Sequence, residues 1–107
     1  MTLPEPIETY FAAANARDAD RAADCFTKDA IVHDEGGQHH GRAAVRTWVE
    51  ETGRKYRFTA TVTGVEAADD QAVVTAHLIG DFPGSPIDLR YRFKLADKRI
   101  ASLEIGL

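Results

Sequence analysis

Residues 30–41 read Ala-Ile-Val-His-Asp-Glu-Gly-Gly-Gln-His-His-Gly, and the rest of the chain can be interpreted as a container built around them. A short apolar run ends in His-Asp-Glu at 33–35, and glycines at 36–37 follow, which can take a positive φ. The chain then returns through two histidines at 39–40 toward a helix. Carboxylates and imidazoles gathered where a strand leaves a core are suited to proton transfer or ligand binding.

Two helices are predicted on the N-terminal side of this stretch. Apolar residues spaced i, i+3, i+4 and i+7 predict a first helix that begins near Pro4. Its inward face carries Ile7, Tyr10, Phe11 and Ala14. Asp18 is the expected N-cap of a second, short helix. The inward face of that helix carries Ala19, Ala22, Ala23 and Phe26. Because the link between the two helices is short, we expect them to pack as a hairpin.

A third helix and five strands complete the predicted elements. The helix begins near Gly41 and ends before Gly53. Its inward face carries Val45, Trp48, Val49 and Thr52. Alternating apolar and polar residues predict strands over residues 30–34, 56–65, 71–82, 87–95 and 99–107. The strand over residues 87–95 has the clearest alternation, and its inward residues are Leu89, Tyr91, Phe93 and Leu95.

The order of these elements predicts an α+β fold in which the helices lie across one face of an antiparallel sheet. A chain of 107 residues is expected to form one domain, spanning residues 1–107. Its 44% apolar and 28% charged residues exclude a disordered or collagen-like chain. The net charge of -4, without a basic stripe, argues against a nucleic-acid partner.

Neither a leader peptide nor a membrane span is evident in the sequence. The first residues lack a basic segment followed by an apolar one, and no apolar run approaches the roughly 18 residues that a span needs. We therefore expect a cytoplasmic protein without a membrane partner. The single cysteine, Cys25, has no partner for an internal disulfide and is interpreted as a small buried hydrophobe.

Three segments carry a resemblance to a known family: Tyr10-Phe-Ala-Ala-Ala-Asn-Ala-Arg-Asp-Ala-Asp20, Phe26-Thr-Lys-Asp-Ala-Ile-Val-His-Asp34 and Gly41-Arg-Ala-Ala-Val-Arg-Thr-Trp48. They resemble the nuclear transport factor two-like superfamily, which includes SnoaL-like polyketide cyclases and ketosteroid isomerases. The resemblance implies a cystatin-like cone, in which a curved sheet wraps around a long helix and encloses a central pocket. Because this fold hosts enzymes of several kinds and non-catalytic proteins, the resemblance leaves the activity open.

The functional comparison that the resemblance offers is with ketosteroid isomerase. It implies that Tyr10 is an oxyanion donor on the first helix and that Asp34 is the general base at the end of the first strand. The isomerase has a second donor, a protonated Asp, shortly before a triplet similar to Tyr91-Arg92-Phe93. Leu89 occupies that position here, and alternation turns Asp88 to the outer face unless a bulge re-aims it. Steroid isomerisation is therefore not expected, whereas another proton transfer stays open.

Asp34 and Tyr10 each have a structural as well as a catalytic interpretation. Near apolar side chains such as Phe26 and Trp48, the Asp34 carboxyl would be desolvated, which raises its pKa toward the range useful to a base. Alternatively, Asp34 caps the glycine turn that follows it. The Tyr10 ring lies on an apolar stripe and belongs to the core in either case, so the direction of its hydroxyl distinguishes the two roles.

The histidines of the turn allow several interpretations. His39 and His40, with Asp34 or Glu35, have the chemistry of zinc or iron ligands. Their spacing is irregular, however, so we predict a solvated pair and no metal. His39 can also reach over the pocket mouth and exchange a proton with Asp34 near neutral pH. His33 alternates with Asp34 along the strand and is expected on the opposite face.

Two functions from different classes fit these residues. The first is a SnoaL-like domain that binds a small, largely apolar organic molecule and, without a cofactor, catalyses proton transfer next to a carbonyl, as an isomerase or a cyclase. The second is a non-catalytic ligand-binding or dimerisation module of the same fold. An open pocket on which Asp34 and Tyr10 converge favours the enzyme. The expected pocket lining is Phe26, Trp48, Phe58, Leu89, Tyr91, Phe93 and His39.

The outer face of the sheet is expected to form a homodimer, which is common in the superfamily. His77 lies there among alternating Val73, Thr75 and Ile79. Such a half-apolar surface suits contact with a second copy of the chain.

Overall fold

The computed structural model describes residues 2–107 and contains three helices and six strands. In chain order these are α1 (Glu5–Asn15), α2 (Ala19–Ala23), β1 (Phe26–Asp34), β2 (Gly37–His40), α3 (Arg42–Tyr56), β3 (Thr59–Ala68), β4 (Gln71–Ile79), β5 (Ile87–Ala96) and β6 (Arg99–Gly106). The helices pack on a curved sheet, so the predicted α+β class is confirmed. None of the helices within residues 2–107 combines the length and the apolar character needed to cross a membrane.

The sheet is mixed, with the strand order β2-β1-β6-β5-β4-β3. Strands β3 to β6 form the predicted antiparallel meander. Strand β1, however, pairs in parallel with β6, with Val32 opposite Leu103. The prediction of an antiparallel sheet is corrected at this point, because alternation indicates which residues face the core but not the direction of the neighbouring strand.

Residues 37–40 form strand β2, where the sequence predicted a turn leading to a helix. Asp34 pairs with Gly37 in an antiparallel hairpin, so Glu35 and Gly36 make a two-residue loop. Both loop residues have positive φ, 52° for Glu35 and 76° for Gly36, as the tight turns between adjacent antiparallel strands require. The hairpin thereby fixes Asp34 at the very end of β1.

The helix ends agree with the sequence at α2 and differ at α3. The Asp18 carboxylate accepts a hydrogen bond of 3.1 Å from the backbone N–H of Arg21, which confirms Asp18 as the N-cap of α2. Helix α3 does not end before Gly53 but continues to Tyr56, and Arg57 closes it in a left-handed conformation with φ 44°. The extra turn carries Tyr56 to the region of the site.

The core lies between the helices and the inner face of the sheet. The even positions of β4 are buried: Ala72, Val74, Ala76 and Leu78. In β6 the pairing with β5 shifts between Lys94 and Leu95, and this irregularity buries Ile100 together with Leu103. Leu107, which the sequence placed in the last strand, lies just beyond β6 and is 84% exposed.

Candidate functional site

A cavity of about 510 Å³ opens between the helices and the inner face of the sheet. Its wall takes residues from α1, the end of β1, α3, and strands β4, β5 and β6. Most of the wall is aromatic or aliphatic, and within residues 2–107 its charged members are Asp34 and Glu35. The cavity therefore suits a largely apolar ligand that meets carboxylate oxygens at one point.

Asp34 is held in the wall by a residue of α3. The indole Nε1 of Trp48 donates a 3.0 Å hydrogen bond to Oδ2 of Asp34. Burial raises the pKa of the Asp34 carboxyl above its ordinary value, and the hydrogen bond from Trp48 opposes part of that rise. The negative charge of Glu35 raises the Asp34 pKa further, whereas His39 lowers it. A carboxylate of raised pKa accepts a proton more readily than an ordinary aspartate does.

The Tyr10 ring is part of the core, and its hydroxyl faces the cavity. The ring packs edge-on against Phe26 and Phe93, with centroid distances of 5.6 and 6.1 Å. Within residues 2–107 the Tyr10 hydroxyl has no hydrogen-bond partner, yet no side-chain oxygen of that part of the chain is fully buried without one. Tyr10 also lines the cavity. Its hydroxyl is therefore open to the cavity space and free to donate to a ligand.

Burial raises the pKa of Tyr10 well above its ordinary value, and the neighbouring Tyr91 and Asp34 raise it further. The hydroxyl therefore keeps its proton at neutral pH and acts there as a donor. Because the charge of Asp34 acts on the Tyr10 hydroxyl, the two groups lie within electrostatic reach of each other.

Of the residues predicted to line the pocket, some lie in the cavity wall and others lie in the core. Besides Asp34 and Tyr10, the wall contains four of them: Trp48, Phe58, Leu89 and Tyr91. Phe26 and Phe93, predicted to line the pocket, are instead 0% and 1% exposed and lie in the core against the Tyr10 ring. They do not fill the cavity, because neither of them belongs to its wall.

His39 also differs from its predicted place in the pocket lining. Strand β2 holds it opposite Val32, and its ring lies 6.0 Å from that of Trp48, outside the cavity wall. His40 is exposed and contacts the side chain of Gln38 at 3.0 Å. Within residues 2–107, no group of three His, Cys, Asp or Glu side chains is arranged to hold a metal ion.

Asp88 lies on the outer face of the sheet. The pairing of β4 with β5 is regular through this point, with His77 opposite Asp88 and Ala76 opposite Leu89. The Asp88 carboxylate contacts Nδ1 of His77 at 2.7 Å and is 68% exposed. Since no bulge re-aims Asp88, Leu89 contributes an apolar side chain to the cavity at the position predicted for it.

Sequence reasoning missed several residues of the wall, chiefly Glu35, Thr52 and Tyr56. The Tyr56 hydroxyl donates a 3.0 Å hydrogen bond to Glu35. A signal for two of them was present, because Trp48, Thr52 and Tyr56 are spaced at i, i+4 and i+8 on one face of α3. Ending the helix before Gly53 concealed that pattern.

Comparisons with known proteins agree with this fold. Residues 7–103 match the protein family described as a SnoaL-like domain. A candidate polyketide cyclase from Sinorhizobium meliloti is 38% identical to the chain, with 97% of this chain and 95% of that chain covered and a TM-score of 0.94. None of the curated proteins compared with the chain matches it.

Two more distant structures share the fold alone. One is a protein of ketosteroid isomerase-like fold from Catenulispora acidiphila, solved with trimethylamine; it is 20% identical, with 99% of this chain and 87% of that chain covered and a TM-score of 0.87. The other is a cystatin-fold protein from Novosphingobium aromaticivorans, 18% identical, with 100% of this chain and 99% of that chain covered and a TM-score of 0.82. The predicted cystatin-like cone is therefore confirmed. With the family match over residues 7–103, the chain belongs to the SnoaL-like domain family.

Proposed function

We propose that this SnoaL-like domain binds a small, largely apolar carbonyl compound and catalyses proton transfer at the carbon next to the carbonyl, as an isomerase or a cyclase does. Asp34 is the general base and Tyr10 is the oxyanion donor. The observation that carries the proposal is that a carboxyl of raised pKa and an unpaired, protonated hydroxyl share the wall of one cavity.

The chemistry needs only these two groups. The Asp34 carboxylate takes the proton from the α-carbon, the electron pair of that C–H bond forms the C=C bond of an enolate, and the carbonyl π electrons move to oxygen. The Tyr10 hydroxyl donates a hydrogen bond to that oxygen as its negative charge develops. Returning the proton to another carbon completes an isomerisation, and attack of the enolate on a second carbonyl completes a cyclisation.

The lining supports an uncharged substrate. Within residues 2–107 the wall carries two carboxylates and no Lys, Arg or His to neutralise a ligand anion. A free carboxylate or phosphate on the substrate would meet like charge in an apolar setting, which is unfavourable. The 38% identity to a candidate polyketide cyclase favours cyclisation as the class of reaction to test first after exchange.

The test is exchange of the acidic α-hydrogens of 2-tetralone in D₂O, followed by proton NMR with and without the protein. A general base typically contributes about 10²–10⁴-fold, so Asp34→Asn should slow exchange by about a hundredfold or more. Tyr10→Phe should slow it by a factor of about 10². Asp29→Asn, an exposed carboxyl on the same strand, is the matched control and should exchange at the wild-type rate.

The pH dependence adds a second criterion. Exchange should increase with pH through the Asp34 pKa, which lies above its ordinary value of 3.8, because only the ionised carboxylate accepts a proton. If the wild-type protein binds the ketone without exchanging its hydrogens, the proposed enzymatic activity is contradicted, and the alternative of a non-catalytic binding module is favoured.

The quaternary and cellular setting of this function is also a proposal. We infer that two copies of the chain associate through the outer sheet face, where Val73, Thr75 and His77 are half-buried and Ile79 is 59% exposed. The expected cytoplasmic location stays a prediction.

A further inference from the structure

A second tyrosine hydroxyl of the cavity has no partner and no role in the chemistry described so far. Tyr91, on β5, is 3% exposed and lines the cavity. Within residues 2–107 its hydroxyl makes no hydrogen bond, yet that part of the chain has no fully buried side-chain oxygen without a partner. The hydroxyl of Tyr91 is therefore open to the cavity in the same way as that of Tyr10. A buried polar group without a protein partner costs stability unless water or a ligand satisfies it.

The Tyr10 and Tyr91 rings pack against the same aromatic neighbours in the core. Both rings pack against Phe11, with centroid distances of 5.2 Å for Tyr10 and 5.0 Å for Tyr91. Both also pack against Phe93, at 6.1 and 6.2 Å. Each ring is packed among aromatic neighbours, which restricts the direction of its hydroxyl.

Tyr10, Tyr91 and Asp34 line the same cavity, and the charge of Asp34 affects the pKa of both hydroxyls. Burial raises the pKa of Tyr91 far above its ordinary value, and the charge of Asp34 raises it further. The same carboxylate acts on Tyr10, and Tyr91 acts on Tyr10 as well. Each hydroxyl therefore keeps its proton at neutral pH and lies within electrostatic reach of the other two groups.

Tyr56 provides the contrast. It lines the same cavity, but its hydroxyl already donates to Glu35 at 3.0 Å. Of the tyrosine hydroxyls in the wall, those of Tyr10 and Tyr91 are left for a ligand.

We propose that Tyr91 is a second catalytic hydrogen-bond donor, which acts with Tyr10 on a single anionic oxygen of the ligand. The inference rests on the proposed function and specifies its ligand: a planar, apolar molecule with one enolate or phenolate oxygen. Two donors on one oxygen concentrate the binding energy where the negative charge develops, while the apolar wall, including Leu89, receives the rest of the molecule.

The test measures binding of nitrophenols to the full chain carrying Asp34→Asn. The neutral amide reproduces the uncharged state that Asp34 has after it has taken a proton, and it removes the carboxylate that would repel a phenolate. Hydrogen bonds to charged groups contribute about 1.5–3 kcal/mol, so Tyr91→Phe and Tyr10→Phe should each weaken phenolate binding by about 10- to 150-fold. Each should also lower the fraction of the bound phenol that absorbs as phenolate.

Tyr56→Phe is the comparator, and its loss should be well below that of Tyr91→Phe because the Tyr56 hydroxyl is engaged with Glu35. The Phe variants keep the ring contacts, and thermal unfolding verifies that they fold. The proposal is overturned if Tyr91→Phe weakens phenolate binding no more than Tyr56→Phe does, while Tyr10→Phe weakens it strongly. It is also overturned if the chain carrying Asp34→Asn binds no phenolate. Because this assay requires no turnover, absence of α-hydrogen exchange together with a strong Tyr91→Phe effect would refute the proposed reaction and keep the two-donor site.

Discussion

At the scale of single residues, the position of the Asp34 carboxyl lowers the stability of the folded protein. Strand β1 and its hairpin place it in an apolar wall, and burial raises its pKa. The folded protein therefore holds the Asp34 proton more tightly than the unfolded chain, where the ordinary pKa is 3.8. As the pH rises, the unfolded chain loses this proton first, so the contribution of Asp34 to stability falls between pH 3.8 and the pKa of the folded state. Ionised Asp34 thus opposes folding at neutral pH.

We expect Asp34→Asn to be more stable than the wild type at neutral pH. The amide oxygen still accepts the hydrogen bond from Trp48, but the cost of a buried charge is gone. The measurement is urea unfolding at a series of pH values. Above the pKa of Asp34 in the folded protein, the variant should be more stable than the wild type by a constant amount. As the pH falls toward 3.8, this difference should shrink. Asp29→Asn on the same strand serves as the control. A variant that is less stable than wild type at pH 7 would contradict this account.

The residues of the site were predictable to different degrees. Asp34 and Tyr10 were identified from a resemblance that fixes their positions on β1 and α1, and a strand end and a helix stripe are local features. The direction of the Tyr91 hydroxyl was not predictable, because it depends on which aromatic neighbours share its ring faces. The prediction that Phe26 and Phe93 line the cavity was wrong, because the sequence shows that a residue faces the core but not whether it reaches the cavity wall.

At the scale of elements, one close approach holds the rim of the cavity together. A Cβ on Gly80, after β4, would lie 2.7 Å from the Cα of Phe58 and 2.7 Å from the carbonyl oxygen of Tyr56. The next residue, Asp81, donates its backbone N–H to the Tyr56 carbonyl at 2.7 Å. Only glycine allows the end of β4 to approach the chain between α3 and β3 so closely, and both Tyr56 and Phe58 line the cavity.

We therefore expect Gly80→Ala to lower the free energy of unfolding by about 1–3 kcal/mol, since the obstructing atoms are two backbone atoms and the Cβ of Phe58, which cannot move without the backbone. Gly64→Ala is the matched control within β3, because its Cβ would find its nearest neighbour at 3.7 Å. Chemical denaturation of both variants checks the difference. Equal stabilities would show that the connection between α3 and β3 can shift without cost.

The predicted boundaries of helices and strands were wrong where tertiary contacts outweighed local sequence signals. Glycine at position 53 indicated a helix end, but the buried face of α3 continues through Tyr56 and packing extends the helix. Residues 37–40 lack the alternation of a strand, and they pair with β1 because the Glu35-Gly36 loop returns the chain alongside it. The meander of β3 to β6 was predictable since its strands alternate cleanly and follow one another in the chain.

At the scale of the whole molecule, the uncovered face of the sheet is the remaining large surface. Within residues 2–107, Ile79 on this face and Leu107 are the large hydrophobic side chains that stand exposed. On the same face, Nδ1 of His77 contacts the Asp88 carboxylate at 2.7 Å, so a polar pair lies near the exposed Ile79. This is the surface through which we propose that two copies of the chain associate about a twofold axis.

We expect the protein to sediment as a dimer at micromolar concentration and Ile79→Lys to sediment as a monomer, because the substitution buries a charge in the proposed contact. Ala12→Lys, on the exposed side of α1, is the control and should stay dimeric. Analytical ultracentrifugation distinguishes these outcomes. A monomeric wild type would rule out the proposed association.

The parallel pairing of β1 with β6 also governs the order in which the fold can be completed during synthesis. Strand β1 leaves the ribosome before its parallel partner, residues 99–106, which follows only after α3 and strands β3 to β5 have been made. At translation rates of about 5–20 residues per second, the edge of β1 waits for several seconds before its partner exists. The nascent first half can form helices and the β1–β2 hairpin in that interval, but it cannot complete its sheet. Until residues 99–106 have been made, the edge of β1 that pairs with β6 stays open, and Asp34 ends a strand whose cavity is not yet complete.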